Sequence, residues 1–204
     1  MTVKIFNPHW FYQGQLSDKD RNILSDTYDD FISDNDNFHN YWEESCNNLT
    51  SFRSSTNDSI DWNVFKNCLY PNITEFVNEM KPKTADVSIK FDGVWINKYK
   101  KGAYQEVHDH ATLRCNLVMV YIYKSTGDEC FTIYNPDREI DKLGLDYCFD
   151  TMNQRTVSPS LKTGDVLIFP SHYHHMVKPN LKDEERITIS SNFFLRPSID
   201  DQTK

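Results

Sequence analysis

The sequence predicts a mainly β, α+β protein in which N-terminal helices pack against an antiparallel β-sandwich or small barrel. Apolar residues recur at helical spacing up to about residue 84, and from residue 85 they alternate with a period of two. A chain of 204 residues with 38% hydrophobic residues can bury one sizeable core, and no internal repeat or long linker divides it. We therefore expect one domain, 1–204, with 1–84 as mainly helical support and 85–197 as the β core.

The N-terminal part contains two predicted helices. Ser17 is followed three residues later by an aspartate, which is a capping pattern, and apolar side chains then recur at helical spacing. Residues 59–81 show the same spacing, although Pro71 is expected to end or kink that helix. Between the two, the aromatic-rich segment HNYWEESCNN is a candidate for another short helix.

The remainder of the chain contains strand patterns. DVSIKFDGVWINKYKKG alternates well enough for one or two strands, with a turn at Asp92 and Gly93. Further strands are predicted in CNLVMVYIY, ECFTIYNP, DVLIFPS and RITISSNFFL. Residues 137–160 have the weakest pattern, and we expect them to form an ordered insert or lid.

Composition limits the partners and the compartment. A formal net charge of -8 without a basic run argues against unspecific binding of nucleic acid or of anionic membranes. No stretch of about 18 apolar residues and no charged leader with an apolar segment are present, which predicts a soluble, cytoplasmic protein. The five cysteines have no paired short spacing, so free thiols in a reducing compartment are expected.

A candidate metal site begins in EVHDHATLRC. On a strand, His108 and His110 would project from the same face, whereas Asp109 would point away. His175, just after GDVLIFPS, is placed to supply a third ligand from a distant strand. An isolated histidine is more often a hydrogen-bonded surface or core residue than a ligand, so the spacing alone leaves both interpretations open.

Three longer runs resemble a known superfamily. WINKYKKGAYQEVHDH, RCNLVMVYIY and GDVLIFPSHYHHMVKPNLKDEERITIS are similar to the 2-oxoglutarate- and Fe(II)-dependent oxygenases over about residues 94–195. The prolyl-hydroxylase-like enzymes and a group of uncharacterised, often phage-encoded members are the most similar. The resemblance implies a double-stranded β-helix, a cupin-like jelly roll with the iron in its mouth. The motif of the superfamily is His-x-Asp/Glu, a distal His, and an Arg that holds the far carboxylate of the cosubstrate.

The resemblance assigns roles residue by residue. His108 is the first histidine, His175 the distal one, and Arg186 the arginine that binds 2-oxoglutarate. Thr188 stands where a hydroxyl often assists, and Tyr121 where related enzymes place a tyrosine that touches the same carboxylate. Arginine suits a dianionic acid, because its planar, permanently charged fork binds a carboxylate through two hydrogen bonds.

Three of these neighbouring side chains also have simpler interpretations. Arg186 could be an exposed strand residue that pairs with Glu184 or Glu185, and Tyr121 could be a core aromatic. Asn97, on the strand before the first histidine, could reach the cosubstrate or stand at the edge of the core.

The sequence departs from the superfamily motif at one position. His110 stands where the carboxylate is expected, so the direct interpretation is a three-histidine site, as in some phage-type relatives. A β-bulge could turn Asp109 toward the metal instead. Loss of the carboxylate raises the net charge of the site by one unit and weakens the match to the facial triad of non-haem iron. His172 and His174 are not expected to be ligands and could line the substrate entrance.

The resemblance implies a function. The protein is expected to be a dioxygenase, acting as a hydroxylase on peptidyl proline as the first candidate, that decarboxylates 2-oxoglutarate to succinate. Fe(II) would be the cofactor, ascorbate a supporting reductant, and 2-oxoglutarate, O2 and an unidentified peptide or small molecule the partners. A phage-encoded member would act in the host cytoplasm.

Two alternatives remain at this stage. GAYQEVHDH has the glycine-to-histidine spacing of the first cupin motif, and GDVLIFPSHYHH approximates the second, which would indicate a metal-dependent isomerase or dioxygenase without 2-oxoglutarate. The cupin glutamate is absent, because Arg114 and Cys115 occupy its place, and this favours the oxygenase. The other alternative is a non-enzymatic metal-binding or structural module.

Overall fold

The structure, a computed structural model of the chain, describes residues 9–82, 87–127, 130–136 and 156–197. Within these ranges it contains two α-helices, α1 (Asp18–Ser33) and α2 (Trp62–Glu79), and ten β-strands. The strands are β1 (Tyr12–Gln15), β2 (Leu49–Thr50), β3 (Val87–Tyr99), β4 (Gln105–His108), β5 (Leu117–Lys124), β6 (Phe131–Tyr134), β7 (Thr156–Val157), β8 (Asp165–Pro170), β9 (His175–Val177) and β10 (Arg186–Pro197).

The strands form two antiparallel sheets. The larger has the order β1-β8-β5-β10-β3-β2 and the smaller the order β4-β9-β6-β7. Apolar side chains from both sheets share one core, with Val118 and Phe169 from the larger sheet and Phe131, Ile133 and Val177 from the smaller. The predicted jelly-roll core, a double-stranded β-helix, is confirmed by this arrangement and by the solved structures of the same fold described below.

The helices cover the outer face of the larger sheet. Leu24 from α1 and Phe65 and Leu69 from α2 are fully buried in a second core with outward-facing residues of that sheet. Burial of each such side chain stabilises the fold by about 1.5–3 kcal/mol. The side chain of Ser17 accepts a hydrogen bond from the backbone N–H of Asp20, so the predicted cap of α1 is confirmed.

Two segments are more continuous than predicted. Pro71 does not end α2, which continues to Glu79, because the buried residues after the proline hold the next turns against the sheet. Gly93 and its neighbour Asp92 form no turn, since β3 is continuous over 13 residues. In place of a turn, the pairing register of β10 with β3 shifts between Asn192 and Phe193, which lie opposite this part of β3.

The N-terminal third is less helical than predicted. It contributes β1, which pairs with β8, and β2, which pairs with β3. The candidate helix HNYWEESCNN contains only a short 3₁₀ helix, Glu44–Cys46. Of the weakly patterned segment 137–160, residues 137–155 lie outside the described residues, and the strand β7 follows at Thr156 and Val157.

The structure describes four of the five cysteines and both long helices. Four cysteines, Cys46, Cys68, Cys115 and Cys130, are buried, and Cys148 lies outside the described residues. Neither helix in the described part of the chain is long and apolar enough to span a bilayer.

Candidate metal centre

Three histidines meet between the two sheets. His108 ends β4 and His175 begins β9, and the two residues face each other across this strand pair. His110 follows two residues later, and its backbone N–H donates to Ser171 O at 2.8 Å. One ring nitrogen from each of the three histidines lies within 4.8 Å of the others. The structure therefore brings together the three residues that the sequence predicted as ligands.

Backbone carbonyls select the ring nitrogen that two of these histidines present. His108 Nδ1 lies 2.7 Å from Glu106 O, and His175 Nδ1 lies 2.9 Å from Tyr173 O. A carbonyl oxygen only accepts, so in both rings Nδ1 carries the hydrogen and donates it. The lone pair of each neutral ring is then on Nε2, which is left to bind a metal.

The third histidine is held by a side chain. His110 Nδ1 lies 2.6 Å from Asn192 Oδ1, so Nδ1 again donates and Nε2 keeps the lone pair. The indole of Trp95 stacks against the same imidazole, with ring centroids 5.9 Å apart and an interplanar angle of 15°. The hydrogen bond and the stacked ring together define the orientation of His110.

The electrostatics keep the cluster neutral. Burial lowers the pKa of His108, and burial with the neighbouring His108 lowers that of His110 to about 4. Burial, followed by the proximity of the other two histidines, lowers the pKa of His175 well below 6.5. All three rings are therefore neutral near pH 7 and offer lone pairs. Three neutral imidazoles form a donor set that suits Fe, Zn, Cu or Ni, so the residues fit a bound Fe(II).

The nearby carboxylates do not join the cluster. Asp109 Oδ1 accepts from the backbone N–H of Ala111 at 2.9 Å, and its Oδ2 lies 3.6 Å from His174 Nε2. Glu106 accepts from the thiol of Cys46 at 3.0 Å. Asp109, the alternative to His110 as a ligand, thus points away from the cluster in this structure. A pairing irregularity does occur in β4, but it precedes His108.

A small cavity of about 30 Å³ lies against the histidines. Apolar side chains, among them Val118, Val120 and Phe131, form part of its wall. The indole of Trp42 forms another part, and it stacks on His108 at 6.1 Å and on Phe52 at 5.6 Å. The cavity has room for about one water molecule, and it is partly open to solvent.

Alternate residues of β10 form a polar strip between the sheets. Arg186, Thr188 and Ser190 lie on the same face of the strand and are all buried. Arg186 has no exposed surface, and its Nη1 donates to Lys178 O at 2.9 Å. The alternative of an exposed strand arginine is wrong, because Arg186 is fully buried.

Tyr121 does not lie at this site. It packs in the outer core, with its ring centroid 6.3 Å from that of Phe65 of α2 and 6.2 Å from that of Tyr123. Its neighbour Val120 lines the cavity, and successive strand residues face opposite sides of the sheet. The predicted contact of Tyr121 with the cosubstrate is therefore corrected, and the interpretation as a core aromatic agrees with the structure.

The tyrosine that lies beside the cavity is Tyr99, and not Tyr121. It lines the cavity, is 1% exposed, and lies directly opposite Arg186 in the pairing of β3 with β10. Burial raises the pKa of its phenol. The signal for this residue was in the sequence, because Trp95, Asn97 and Tyr99 alternate along one predicted strand and all three line the cavity.

Asn97 belongs to the same polar strip. Its Nδ2 donates to Ser190 Oγ at 3.2 Å and to Thr188 Oγ1 at 3.5 Å, and the residue is 4% exposed. It therefore faces the cavity, which was one of the two positions that the sequence left open.

The two other histidines of the second cluster lie outside the site. His172 is exposed and lines a separate apolar groove with Trp10, Phe76 and Leu195. His174 is exposed and faces Asp109. Their expected position at a substrate entrance stays a prediction.

The jelly roll brings three histidines and a buried arginine together between its sheets, an arrangement that could hold a metal ion. The family described as "Putative 2OG-Fe(II) oxygenase" matches residues 93–192, which include all three histidines, Arg186 and Thr188. Over these residues, just under half of its length, the protein matches the 2-oxoglutarate- and Fe(II)-dependent oxygenases, and its fold is prolyl-hydroxylase-like. It is a dioxygenase that uses Fe(II) and 2-oxoglutarate, and the cupin-type and non-enzymatic alternatives are not supported.

Solved structures of the same fold include enzymes with very different substrates. A Pseudomonas putida prolyl-4-hydroxylase has a TM-score of 0.55 at 12% identity, covering 91% of this chain and 92% of that chain. A Trichoplax adhaerens prolyl hydroxylase, in complex with a hypoxia inducible factor peptide fragment, has a TM-score of 0.58 at 12% identity, covering 90% and 83%. The epimerase SnoN, in complex with Fe3+, alpha ketoglutarate and nogalamycin RO, has a TM-score of 0.65 at 10% identity, covering 91% and 79%.

These similarities show the fold alone. No curated protein matches the sequence. The resemblance to phage-encoded members stays a prediction.

Proposed function

We propose that the protein is a hydroxylase in which His108, His110 and His175 bind Fe(II) and Arg186 binds the far carboxylate of 2-oxoglutarate. One observation carries this proposal: three neutral imidazoles, each with its Nδ1 hydrogen already donated, present Nε2 to a common point between the sheets. Iron bound there supplies the activation of O2 that is coupled to the decarboxylation of 2-oxoglutarate to succinate.

Arg186 and its neighbours orient the cosubstrate. A buried guanidinium offers two parallel N–H donors to a carboxylate, and such pairs are strongest away from water. Thr188, the next inward residue on β10, offers a hydroxyl beside it, and Tyr99 takes the part that the sequence assigned to Tyr121.

The remaining walls exclude water. Val118, Val120 and Phe131 offer no hydrogen-bonding side chain, so they keep the space beside the histidines apolar. Trp42, from the chain between α1 and α2, adds an indole to this wall.

Peptidyl proline is our first candidate substrate, and the prolyl-hydroxylase-like fold supports it. A solved relative in complex with a peptide fragment and another in complex with nogalamycin RO show that this fold serves both peptides and small molecules. The substrate class is therefore tested separately from the cosubstrate.

The test is turnover of the cosubstrate. Purified protein given Fe(II), 2-oxoglutarate and ascorbate should slowly release succinate, and N-oxalylglycine should compete with 2-oxoglutarate. Replacing His175 by Ala should abolish both metal binding and succinate release, whereas replacing the exposed His172 by Ala should leave them unchanged. Metal binding that ignores 2-oxoglutarate and N-oxalylglycine would contradict the proposal.

The substrate is tested in a second arm. A proline-containing peptide should gain one oxygen atom, detected by mass spectrometry, and should accelerate succinate release. Acceleration by small molecules alone would retain the oxygenase and reject peptidyl proline.

A further inference from the structure

We propose that Asn192 is the positioning residue that makes His110 a metal ligand, by accepting the hydrogen of its Nδ1 and so directing Nε2 to the other two histidines. This inference rests on the proposed function, since it assigns a role within the same three-histidine site. It concerns the position where this chain has a histidine in place of the carboxylate of the superfamily motif.

The hydrogen bond to Asn192 differs in kind from those of the other two histidines. His108 and His175 donate Nδ1–H to backbone carbonyls, which any residue at those positions would provide. His110 donates to the side-chain oxygen of Asn192, at 2.6 Å. Among the three rings, the tautomer of His110 is therefore the one that depends on the identity of another side chain.

His110 needs this support because of its place in the chain. β4 ends at His108, so His110 lies beyond the hydrogen-bonded pairing of β4 with β9. Its backbone is held by the hydrogen bond that its N–H donates to Ser171 O. Trp95 stacks on the ring with an interplanar angle of 15° and so restricts its plane. Stacking does not determine which ring nitrogen carries the hydrogen, because both neutral tautomers have the same flat ring. The hydrogen bond to Asn192 makes that distinction.

The amide of Asn192 is coupled to the state of the ligand. Its oxygen requires a hydrogen on His110 Nδ1, which leaves Nε2 with the lone pair. If the amide turned its NH2 group toward the ring, Nδ1 would have to accept and Nε2 would carry the hydrogen. That tautomer cannot bind a metal through Nε2, so one amide orientation permits a three-histidine site.

The neutral amide also sets the charge of the loaded site. Metal-bound histidines commonly donate their other N–H to a carboxylate, which increases the basicity of the ring. An amide orients the ring without adding charge, so three neutral histidines and a neutral acceptor leave the full charge of the divalent metal. Asn192→Asp would supply a negative charge at the hydrogen-bond acceptor of His110 instead of at the metal ligand itself.

The test is a double-mutant cycle with Co(II) as a spectroscopic metal probe. In the wild-type background, Asn192→Ala should weaken Co(II) binding by about 10- to 100-fold, the range for lost support of a ligand. In a His110→Asp background, the same substitution should change Co(II) affinity by less than about 3-fold, because a carboxylate ligand has no ring N–H to orient. Asn192→Asp should bind Co(II) at least as tightly as the wild type.

A matched control uses another asparagine beside β10. Asn116 makes two side-chain hydrogen bonds to the backbone of Leu195 and none to a histidine. Asn116→Ala should leave Co(II) affinity unchanged. An equal loss from Asn192→Ala in the wild-type and the His110→Asp backgrounds would show a merely structural role and overturn the inference.

The metal-free protein provides a second readout. In ¹⁵N NMR spectra, His110 should be the tautomer with hydrogen on Nδ1, and Asn192→Ala should give a mixture of tautomers while His108 and His175 stay unchanged. An unchanged His110 tautomer in the variant would also overturn the inference. Failure of the proposed function would look different: Co(II) binding would depend on Asn192, but 2-oxoglutarate would neither bind nor be decarboxylated.

Discussion

The two faces of the larger sheet carry out different tasks with neighbouring residues of the same strands. On β5, Met119 and Tyr121 face the helices in the outer core, whereas Val118 and Val120 face the metal centre. The outer face is apolar and joins the helices to the sheet. The inner face is divided, with apolar residues beside the smaller sheet and a buried polar strip on β3 and β10. Adjacent residues of one strand therefore face either the packed outer core or the candidate site.

The polar strip is costly for the fold. Buried polar groups destabilise a protein unless they are hydrogen-bonded. Asn97 is bonded to Ser190 and Thr188, and Arg186 to Lys178 O, which offsets part of this cost. The helix-covered outer core supplies the burial that stabilises the whole sheet.

The largest expected difference between the faces concerns Arg186. Replacing it by Met should weaken 2-oxoglutarate binding by about 2–5 kcal/mol, the range for truncating one partner of a buried charge pair. Arg196→Met, at an exposed position of the same strand, should have no such effect. Isothermal titration calorimetry with the Mn(II)-loaded protein measures both. Equal affinities in the two variants would remove Arg186 from the cosubstrate site.

An intermediate effect is expected from acid. The pKa values of the three inner-face histidines are lower in the folded protein than the ordinary value of 6.5, and that of His110 is about 4. Below 6.5 the unfolded chain binds protons that the folded, metal-free protein does not. The free energy of unfolding should therefore decrease as the pH falls below 6.5, with a contribution from His110 of at most about 1.4 kcal/mol per pH unit.

Urea denaturation between pH 7 and pH 5 measures this slope. His110→Asn should reduce the slope of the free energy of unfolding against pH by the contribution of His110. The same slope in the variant and the wild type would show that His110 does not contribute.

The smallest difference is expected between two tyrosines. Tyr99→Phe should weaken 2-oxoglutarate binding by about 0.5–1.5 kcal/mol, the net value of one hydrogen bond. Tyr121→Phe should leave that affinity unchanged, since Tyr121 lies on the outer face. Titration of both variants with 2-oxoglutarate measures the two affinities. A larger loss in Tyr121→Phe than in Tyr99→Phe would support the original assignment of Tyr121 to the cosubstrate.

The sequence predicted most of the site because its signals were local. His108 and His110 are two residues apart, and His175 and Arg186 keep a motif spacing in one short stretch. It assigned the wrong tyrosine, because the alternation along CNLVMVYIY does not say which set of residues faces the smaller sheet. The role of Asn192 had no local signal, as its partner lies 82 positions away.

The sequence by itself predicted the jelly roll and indicated the three histidines and the arginine as candidate site residues, since residue type, periodicity and motif spacing are properties of the chain. The tertiary structure decided which face of each strand is the inner one, that Asp109 points away, and that Asn192 holds His110. The physical reason is that side-chain direction and hydrogen-bond partners depend on the register and packing of distant strands. Those relations arise only when the sheets and helices assemble.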